Sequence, residues 1–339
     1  MRIGFSLLDL AMGGAQTFLV QLAKEMSLRG HDVSYCLHSH RIDPSHVAPS
    51  LLAELDAVAV SVSQPKKLLK NEVIQLDGYH NLRRKIPYLT HLNRCVETYH
   101  SVYSIRRSGP IYARYRVSIS KAVQVALHHP SQVIYPGSVL PEMDHFALGK
   151  EFDVAILGRI HPVKGHLLFL QVCERLYQQR GQLRALMIGG HPKSGPYQEN
   201  VDAQVQRLRR MGIQIHTTGD IPADEVFTWL ERSRLLLVTS ESEGLGRMAM
   251  EALACYVPVI SNPVGGLREI VIDGQTGLLA ERDNPVSFAQ LTNHLLGDES
   301  LRQCLGKQGR KYAQENFSLQ AVANQYENLY QKVAQESRR

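Results

Sequence analysis

The amino-acid sequence predicts an α/β protein made of two doubly wound, Rossmann-like domains that face one another across a cleft. Three observations support this prediction. Short apolar runs such as Leu235–Val238 have the character of parallel strands buried on both faces of a sheet. Many of these runs are followed by a glycine-containing turn and then by a segment with helical spacing of apolar residues. The chain has 339 residues, which suits two domains of about 150 residues each.

The composition is that of an ordinary folded protein, with 44% hydrophobic and 21% charged residues. The five cysteines are widely spread and form no C-x-x-C pair, so we expect neither a disulfide framework nor a zinc ribbon. A reducing cytoplasm fits this pattern. No window approaches about eighteen consecutive apolar residues, and we interpret the short apolar run at the N-terminus as a strand and not as a leader peptide.

The first predicted domain covers residues 1–145 and opens with a βαβ unit whose turn is Met12-Gly13-Gly14-Ala15. Its predicted strands are Arg2–Leu8, Val33–Leu37, one within Leu51–Val62 after a short helix or turn, Val73–Leu76, one within Pro87–Val96, the better-marked Arg94–Tyr103, Arg116–Ile119 and Gln132–Tyr135. Its predicted helices are Gln16–Leu28 and a helix that Ser120 caps and that ends at Leu127.

The second predicted domain covers residues 146–317 and follows a linker at Pro141–Lys150. Its predicted strands are Asp153–Leu157, Leu183–Ile188, Ile213–His216, Leu235–Val238, Val257–Ser261 and Gly277–Leu279. Its predicted helices are Leu167–Gln179, Val201–Met211, Ala223–Glu231, Arg247–Tyr256, a helix carrying Glu269, and Pro285–Leu296. A last helix within residues 318–339 has one apolar face, formed by Val322, Tyr326, Leu329, Tyr330 and Val333.

The stretch from Val238 to Ile270 predicts a phosphate-binding turn. Gly244 and Gly246 allow backbone N–H groups to approach a ligand, and the helix that follows directs the positive end of its dipole there. Glu243 and Glu251 are eight residues apart, about 12 Å of helical rise, which is too far for a paired acid and base. Two carboxylates so placed suit one long ligand with a diphosphate between its ends, which is the shape of a nucleotide-sugar.

The spacing E-x7-E, followed by EALACYVPVISNPVGGLREIV, resembles that of the family 4 glycosyltransferases, a retaining, metal-independent group with the GT-B fold. The turn GRIHPVKG at residues 158–165 resembles the G-R-x4-K-G turn of the same family. This resemblance implies that Arg159 and Lys164 hold the diphosphate and stabilise the charge that develops as it leaves. It also implies that Glu251 binds the ribose, and that the sugar is bound by Glu243 and the backbone amides that follow it, Gly244, Leu245 and Gly246.

In the first domain the resemblance implies that the turn Gly13-Gly14 faces the donor phosphates and the acceptor. It also places a histidine beside the transferred sugar. His100 follows a predicted strand end and matches that position, and His80 competes with it for the role. The turn Pro136-Gly137-Ser138-Val139 only partly matches the family pattern. The last helix of the family crosses back to the first domain, which suits residues 318–339.

The resemblance implies a retaining hexosyltransferase that moves a sugar from an NDP-sugar, with UDP favoured and GDP as the alternative, to a saccharide or lipid-linked acceptor. We expect no cofactor and no metal, because cations and helix N-termini supply the charge and the chain contains no D-x-D pair. Two alternatives share the fold: a sugar-nucleotide epimerase, and a non-catalytic nucleotide-sugar binding protein. An NAD-dependent enzyme is disfavoured, because the G-x-G-x-x-G fingerprint is absent.

The net charge of +6 lies in the first half of the chain. Residues 1–150 hold 17 Lys and Arg against 11 Asp and Glu, and residues 66–116 hold 11 against 3. Such a surface suits an anionic membrane or an acidic acceptor, and the alternative is a solvated basic face. We therefore expect a cytoplasmic protein that contacts the inner face of the membrane through residues 66–116, and no nucleic-acid partner.

Overall fold

The computed structural model of the protein describes residues 1–7, 10, 14–38, 48–77, 86–100, 113–142, 150–190, 195–222 and 225–338. These residues form two compact units, Met1–Val139 with Asn316–Arg339, and Leu140–Glu315. Each unit contains one parallel sheet packed against helices. The predicted α/β fold class, with a doubly wound sheet in each unit, is therefore confirmed.

The first unit contains a parallel sheet of seven described strands. They are β1 Arg2–Leu7, β2 Asp32–Leu37, β3 Val60–Ser61, β4 Val73–Asp77, β5 Cys95–Tyr99, β6 Tyr115–Ser118 and β7 Gln132–Val133. Their order across the sheet is β3-β2-β1-β4-β5-β6-β7. The order reverses between β1 and β4, so the carboxyl ends of these two strands lie at a topological switch point.

The helices of the first unit are α1 Gly14–Leu28, α2 Pro49–Asp56, α3 Lys121–Leu127 and the C-terminal helix α11 Leu319–Glu336. Helices α1 and α11 pack against each other and against one face of the sheet. Phe18, Tyr326 and Tyr330 are fully buried there, in the same cluster as Ile3 and Phe5 of β1. The C-terminal helix is therefore an integral part of this unit.

A chain of buried hydrogen bonds also joins α11 to the sheet. The Tyr330 hydroxyl donates to Gln75 Oε1 at 2.9 Å, and Gln75 Nε2 donates to Thr98 Oγ1 at 2.8 Å. Thr98 Oγ1 lies 3.2 Å from the hydroxyl of Tyr326. All four side chains are fully buried. A buried polar group without a partner destabilises the fold by more than one hydrogen bond stabilises it. These hydrogen bonds therefore specify how α11 packs on the sheet.

The opposite face of the sheet is covered by two 3₁₀-helical segments, Pro65–Lys70 and Ile86–Arg94. The strand predicted within Pro87–Val96 is therefore wrong, and β5 begins only at Cys95. Ile86, Leu89 and Leu92 recur at every third position, which is the period of a 3₁₀ helix. Pro87 has no N–H to donate to a neighbouring strand, which also disfavours the predicted strand.

The second unit contains a parallel sheet of six described strands. They are β8 Phe152–Leu157, β9 Arg184–Ile188, β10 Gln214–Thr217, β11 Ser233–Val238, β12 Val259–Ser261 and β13 Gly277–Leu279. Their order is β10-β9-β8-β11-β12-β13, so the switch point lies between β8 and β11. The loops that follow these two central strands are therefore neighbours.

The helices of the second unit are α4 His166–Arg180, α5 Pro196–Arg210, α6 Glu225–Glu231, α7 Arg247–Ala254, α8 Leu267–Ile270, α9 Pro285–Gly297 and α10 Glu299–Phe317. The last two residues of α10 belong to the first unit. Most predicted elements are confirmed with bounds that shift by a few residues. Helix α7 ends before its predicted end at Tyr256, which has a positive φ of 57°. Helix α10 was not predicted. None of the helices in the described ranges is both long and apolar enough to span a bilayer.

Candidate functional site

Two loops meet at the switch point of the second unit. One follows β8 and runs from Gly158 to Gly165, and the other follows β11 and begins at Thr239. The Thr239 hydroxyl is 3.1 Å from the carbonyl oxygen of Lys164 and 3.0 Å from that of Gly165. The Glu241 N–H donates to the carbonyl of Val163 at 2.9 Å. Hydrogen bonds from the Thr239 side chain and the Glu241 backbone thus join the two loops into one surface.

Gly165 is required where the first loop enters α4. Its φ is +69°, a left-handed conformation that favours glycine. A Cβ at this position would lie only 2.1 Å from the carbonyl oxygen of Thr239. The two loops can approach this closely only because residue 165 has no side chain.

The joined loops bring together two predicted site residues, Lys164 and Glu243. Lys164 Nζ donates to Glu243 Oε1 at 2.5 Å. The two side chains are 22% and 11% exposed, so the pair is largely shielded from water. The Lys164 stem lies against Gly158, whose Cβ would be 3.5 Å from Lys164 Cδ. A lysine and a glutamate that are 79 residues apart therefore form one charged centre.

A second pair of glycines supports the turn that carries Glu243. A Cβ at Gly265, which has a φ of +51°, would lie 1.8 Å from the carbonyl oxygen of Glu243. A Cβ at Gly266 would lie 2.6 Å from the carbonyl oxygen of Gly244. The structure shows that these residues form the packing surface for the Glu243 turn.

Helix α7 begins directly after the glycine turn. Gly246, with a φ of +102°, precedes its first residue, Arg247, and Leu245 is buried beneath the turn. Free N–H groups at the start of a helix, together with its dipole, favour an anion. Glu251, one turn along α7, accepts a hydrogen bond from Arg247 Nε at 2.8 Å. No sequence motif pointed to Arg247.

Asn262 is a second residue whose position the sequence did not predict to matter. It follows β12 and is fully buried. Its Nδ2 lies 3.2 Å from the carbonyl of Thr239, 3.1 Å from that of Ser240 and 3.0 Å from Asp283 Oδ1. Its Oδ1 accepts from the N–H of Asp283 at 3.0 Å. Asn262 therefore holds the end of β11, and the loop after it, against the turn that precedes α9.

Arg159 and His166 complete the loop after β8. Arg159 is exposed, and its guanidinium has no acceptor among the described residues, so it is available to an anionic ligand. His166 is the first residue of α4 and is buried. Burial, together with the positive charge of Lys164, lowers the pKa of His166 to about 4, so its imidazole is neutral at neutral pH. The positive charge of this loop is therefore carried by Arg159 and Lys164.

The family model described as "Glycosyl transferases group 1" matches residues 143–312, a range that contains both loops. The chain belongs to this family. The match covers the whole candidate site of the second unit, including the Lys164–Glu243 pair. The group 1 glycosyltransferase family is the one to which the E-x7-E spacing and the G-R-x4-K-G turn pointed.

Curated relatives of this family member match parts of the chain. The uncharacterized glycosyltransferase MJ1178 of Methanocaldococcus jannaschii is 40% identical over 120 residues, which are 35% of this chain and 34% of that protein. The D-inositol 3-phosphate glycosyltransferase of Kribbella flavida is 32% identical over 167 residues, which are 48% of this chain and 39% of that protein. The matched region thus spans only between about a third and a half of the length of the curated relatives.

A solved structure matches the fold along nearly the whole chain. The crystal structure of HepE from Anabaena in complex with UDP has a TM-score of 0.78, and the match covers 98% of this chain and 100% of that chain. The sequence identity is 18%, so the likeness is one of fold. It supports the GT-B architecture of this group 1 family member.

Two of the site residues predicted for the first unit, His100 and Gly14, fall within the described residues. His100 directly follows β5, is 8% exposed, and its ring meets that of Phe18 edge-on at 6.4 Å. Burial lowers the pKa of His100 to about 4. Gly14 is the first residue of α1. Gly13 and His80 lie outside the described residues. In the described parts of the chain, no three His, Cys, Asp or Glu side chains converge as metal ligands would.

Proposed function

We propose that the protein is a retaining, metal-independent glycosyltransferase of family 4, which transfers a hexose from an NDP-sugar to a saccharide or lipid-linked acceptor. The observation that carries the proposal is the shielded Lys164–Glu243 pair beside the glycine turn that opens α7. This pair lies at the switch point of a doubly wound sheet, where ligands of such folds bind. Family membership supports the same reaction class.

In this proposal Arg159 and Lys164 bind the diphosphate. An ammonium has three N–H donors, and one of those of Lys164 is directed at Glu243, which leaves two for phosphate oxygens. Arg159 adds a planar, bidentate donor. As the bond to the sugar breaks, negative charge accumulates on the diphosphate. Fixed cations then stabilise the transition state more than the ground state, which is the work that a metal does elsewhere.

The two glutamates bind the two ends of the donor. Glu243, held by Lys164, accepts from hydroxyls of the transferred sugar, and the amides of Gly244, Leu245 and Gly246 contact the same end. Glu251 accepts from the ribose hydroxyls while Arg247 fixes its orientation. UDP is favoured over GDP as the carrier because the fold neighbour HepE was solved with UDP.

The first unit supplies the acceptor site in this proposal, with the turn Gly13-Gly14 and His100. The low pKa of His100 keeps its imidazole neutral at neutral pH, so it serves as a hydrogen-bonding group for a sugar hydroxyl and not as an acid. Retention follows if the acceptor attacks the face from which the diphosphate leaves. A phosphate oxygen then takes the acceptor proton, so no protein base is needed.

A lipid-linked acceptor is consistent with the charge of the first half of the chain. We propose that the enzyme works in the cytoplasm, at the inner face of the membrane, and that it contacts anionic lipid within residues 66–116. The product would then enter a cell-surface glycan or a glycolipid.

The test is release of nucleoside diphosphate from UDP-, GDP- and ADP-sugars in the presence of EDTA. The native chain is compared with Lys164→Ala, Glu243→Ala and the control Lys307→Ala, an exposed lysine of α10. We expect release from one donor, survival in EDTA, loss in the two site variants and no change in the control. Titration calorimetry of the same samples measures donor binding without an acceptor. A chain that binds no NDP-sugar would refute the proposal, and conversion of the donor to its epimer would favour the epimerase.

A further inference from the structure

The two 3₁₀ segments Pro65–Lys70 and Ile86–Arg94 form one anchored surface on the first unit. Leu68 of the first segment and Tyr88 of the second are fully buried in the same apolar cluster. The hydroxyl of Tyr88 donates to Ser6 Oγ of β1 at 2.8 Å. The segments are therefore held firmly against the sheet, on the face opposite α1 and α11, and we call their outer side the 3₁₀ surface.

The 3₁₀ surface exposes large apolar side chains. Ile86 is 56% exposed and Leu89 is 42% exposed, although both flank the buried anchor Tyr88. Neither Ile86 nor Leu89 belongs to the apolar cluster beneath the segments, which Tyr88 and Leu68 complete. Two aliphatic side chains held in water on a well-packed segment indicate a surface that meets an apolar partner.

The first of the two segments also carries three lysines. Lys66, Lys67 and Lys70 are exposed, and neither segment contains an acidic residue. Within the described residues, the side chains of Lys66 and Lys70 have no hydrogen-bond or ion-pair partner, and Lys67 reaches only the hydroxyl of Ser63 at 3.4 Å. Each lysine therefore presents a free positive charge.

Outside the two segments, the described arginines of residues 66–116 have hydrogen-bond or ion-pair partners, and Glu72 is paired with Arg338. Arg114 pairs with Glu336 at 2.9 Å, and Arg116 donates to the carbonyl of Pro130 at 3.0 Å. Asp77 and Glu97 are buried, so they do not offset the lysines at the surface. Within the described part of residues 66–116, the three exposed lysines without an acidic partner therefore all lie on the 3₁₀ surface.

We infer that the 3₁₀ surface docks onto an anionic lipid bilayer, with Ile86 and Leu89 inserted at the acyl boundary and the three lysines among the head groups. Exposed aliphatic side chains on one segment and unpaired lysines on its neighbour match the interface of an anionic membrane. A nucleic acid would use the lysines but give the aliphatic side chains no partner. The inference rests on the proposed function, since it identifies how the transferase would reach a lipid-linked acceptor.

The test is co-sedimentation of the full chain with vesicles of phosphatidylcholine, alone or with about 30% phosphatidylglycerol. We expect binding only to the anionic vesicles. The variant Lys66→Gln/Lys67→Gln/Lys70→Gln should lower the partition coefficient about 100-fold, since each lysine near the surface contributes about fivefold. Ile86→Ser/Leu89→Ser should lower it about tenfold, and this loss should persist in high salt, which screens the lysines alone.

Matched controls separate this surface from general charge or apolarity. Lys307→Gln/Lys311→Gln/Lys332→Gln removes the same charge elsewhere, and Val125→Ser removes an apolar side chain that is 72% exposed on α3. Both controls should bind vesicles like the native chain. Equal losses in the controls and the variants would overturn the inference. So would lysine-dependent binding to an oligonucleotide together with vesicle binding that is insensitive to Ile86→Ser/Leu89→Ser.

Failure here and failure of the proposed function are distinguishable. Donor binding is measured by calorimetry without vesicles, and the surface variants should retain it together with a native circular dichroism spectrum. A chain that binds donor but sediments equally with neutral and anionic vesicles would overturn only the membrane inference. A chain that binds no donor would refute the proposed transferase whatever the vesicles show.

Discussion

Lys164 Nζ lies 2.5 Å from Glu243 Oε1, and this contact joins the loops that follow the two central strands of the second sheet. Both side chains are mostly shielded from water, so removal of either leaves the other charge poorly compensated. The pair is therefore expected to act as one functional group.

A double-mutant cycle tests whether the Lys164–Glu243 pair acts as one functional group. Lys164→Ala and Glu243→Ala should each lower kcat/KM by about 100- to 1000-fold, as loss of one fixed group at developing charge does. The double variant should lose little more than either single variant, because each change already disables the pair. Steady-state release of nucleoside diphosphate is the measurement. Losses that multiply in the double variant would show that the two residues act independently.

The close approach of the loops predicts an unequal cost for two glycine substitutions. Gly165 and Gly181 have nearly the same φ, +69° and +71°, but a Cβ at Gly181 meets no atom within 4 Å. Gly181→Ala should therefore cost about 1 kcal/mol of unfolding free energy, from backbone strain alone. Gly165→Ala adds the clash with Thr239 and should cost about 3 kcal/mol or more. Urea denaturation measures both, and equal costs would contradict the geometry.

The sequence predicted local elements well because their signals are local. Apolar runs and helical spacing marked most strands and helices to within a few residues. Helix α10 was not predicted because its sequence is polar and contains two glycines, one of which, Gly309, packs against Leu253. The segment Ile86–Arg94 was mistaken for a strand because it is short and kinked at His91, and a short segment with scattered apolar residues carries no clear helical periodicity.

The contacts that build the site depend on strand order, which no local pattern encodes. The family resemblance associated Lys164 and Glu243 with one ligand, but it did not predict that they bond to each other. That contact requires β8 and β11 to be neighbours across the switch point. Asn262 gave no signal for the same reason, since an asparagine after a strand is typical of an ordinary loop, and its partners lie on two other loops.

Burial of His100 predicts a loss of stability in acid. Its pKa is about 4 in the folded state and about 6.5 when unfolded, so the unfolded chain binds the extra proton between these values. The unfolding free energy should fall as pH decreases from about 6.5 to 4, by about 3 kcal/mol from this group. His100→Gln should remove that part of the pH dependence. His129→Gln, at an exposed position, should leave it unchanged.

The buried hydrogen bonds of α11 predict a stability change that leaves donor binding intact. Tyr330→Phe removes the donor to Gln75 Oε1 and strands that oxygen in the core, so it should cost about 1–3 kcal/mol. The double variant Tyr330→Phe/Gln75→Leu removes both polar partners and should recover part of this loss. Because both residues belong to the first unit, calorimetric donor affinity should not change. A change in affinity would show that the two units are coupled.

The position of Glu251 predicts a defect in binding and not in chemistry. Its carboxylate is oriented by Arg247 on α7, and the ribose contacts proposed for it are the same in the ground and transition states. Glu251→Gln should therefore raise KM for the donor by about 10- to 100-fold and leave kcat unchanged. A donor with a deoxyribose should suffer a similar loss with the native chain and little further loss with the variant. Glu174→Gln is the control, because Glu174 is also paired with an arginine, Arg207, at 2.6 Å. If the variant and the native chain discriminate equally against the deoxyribose donor, Glu251 does not bind the ribose.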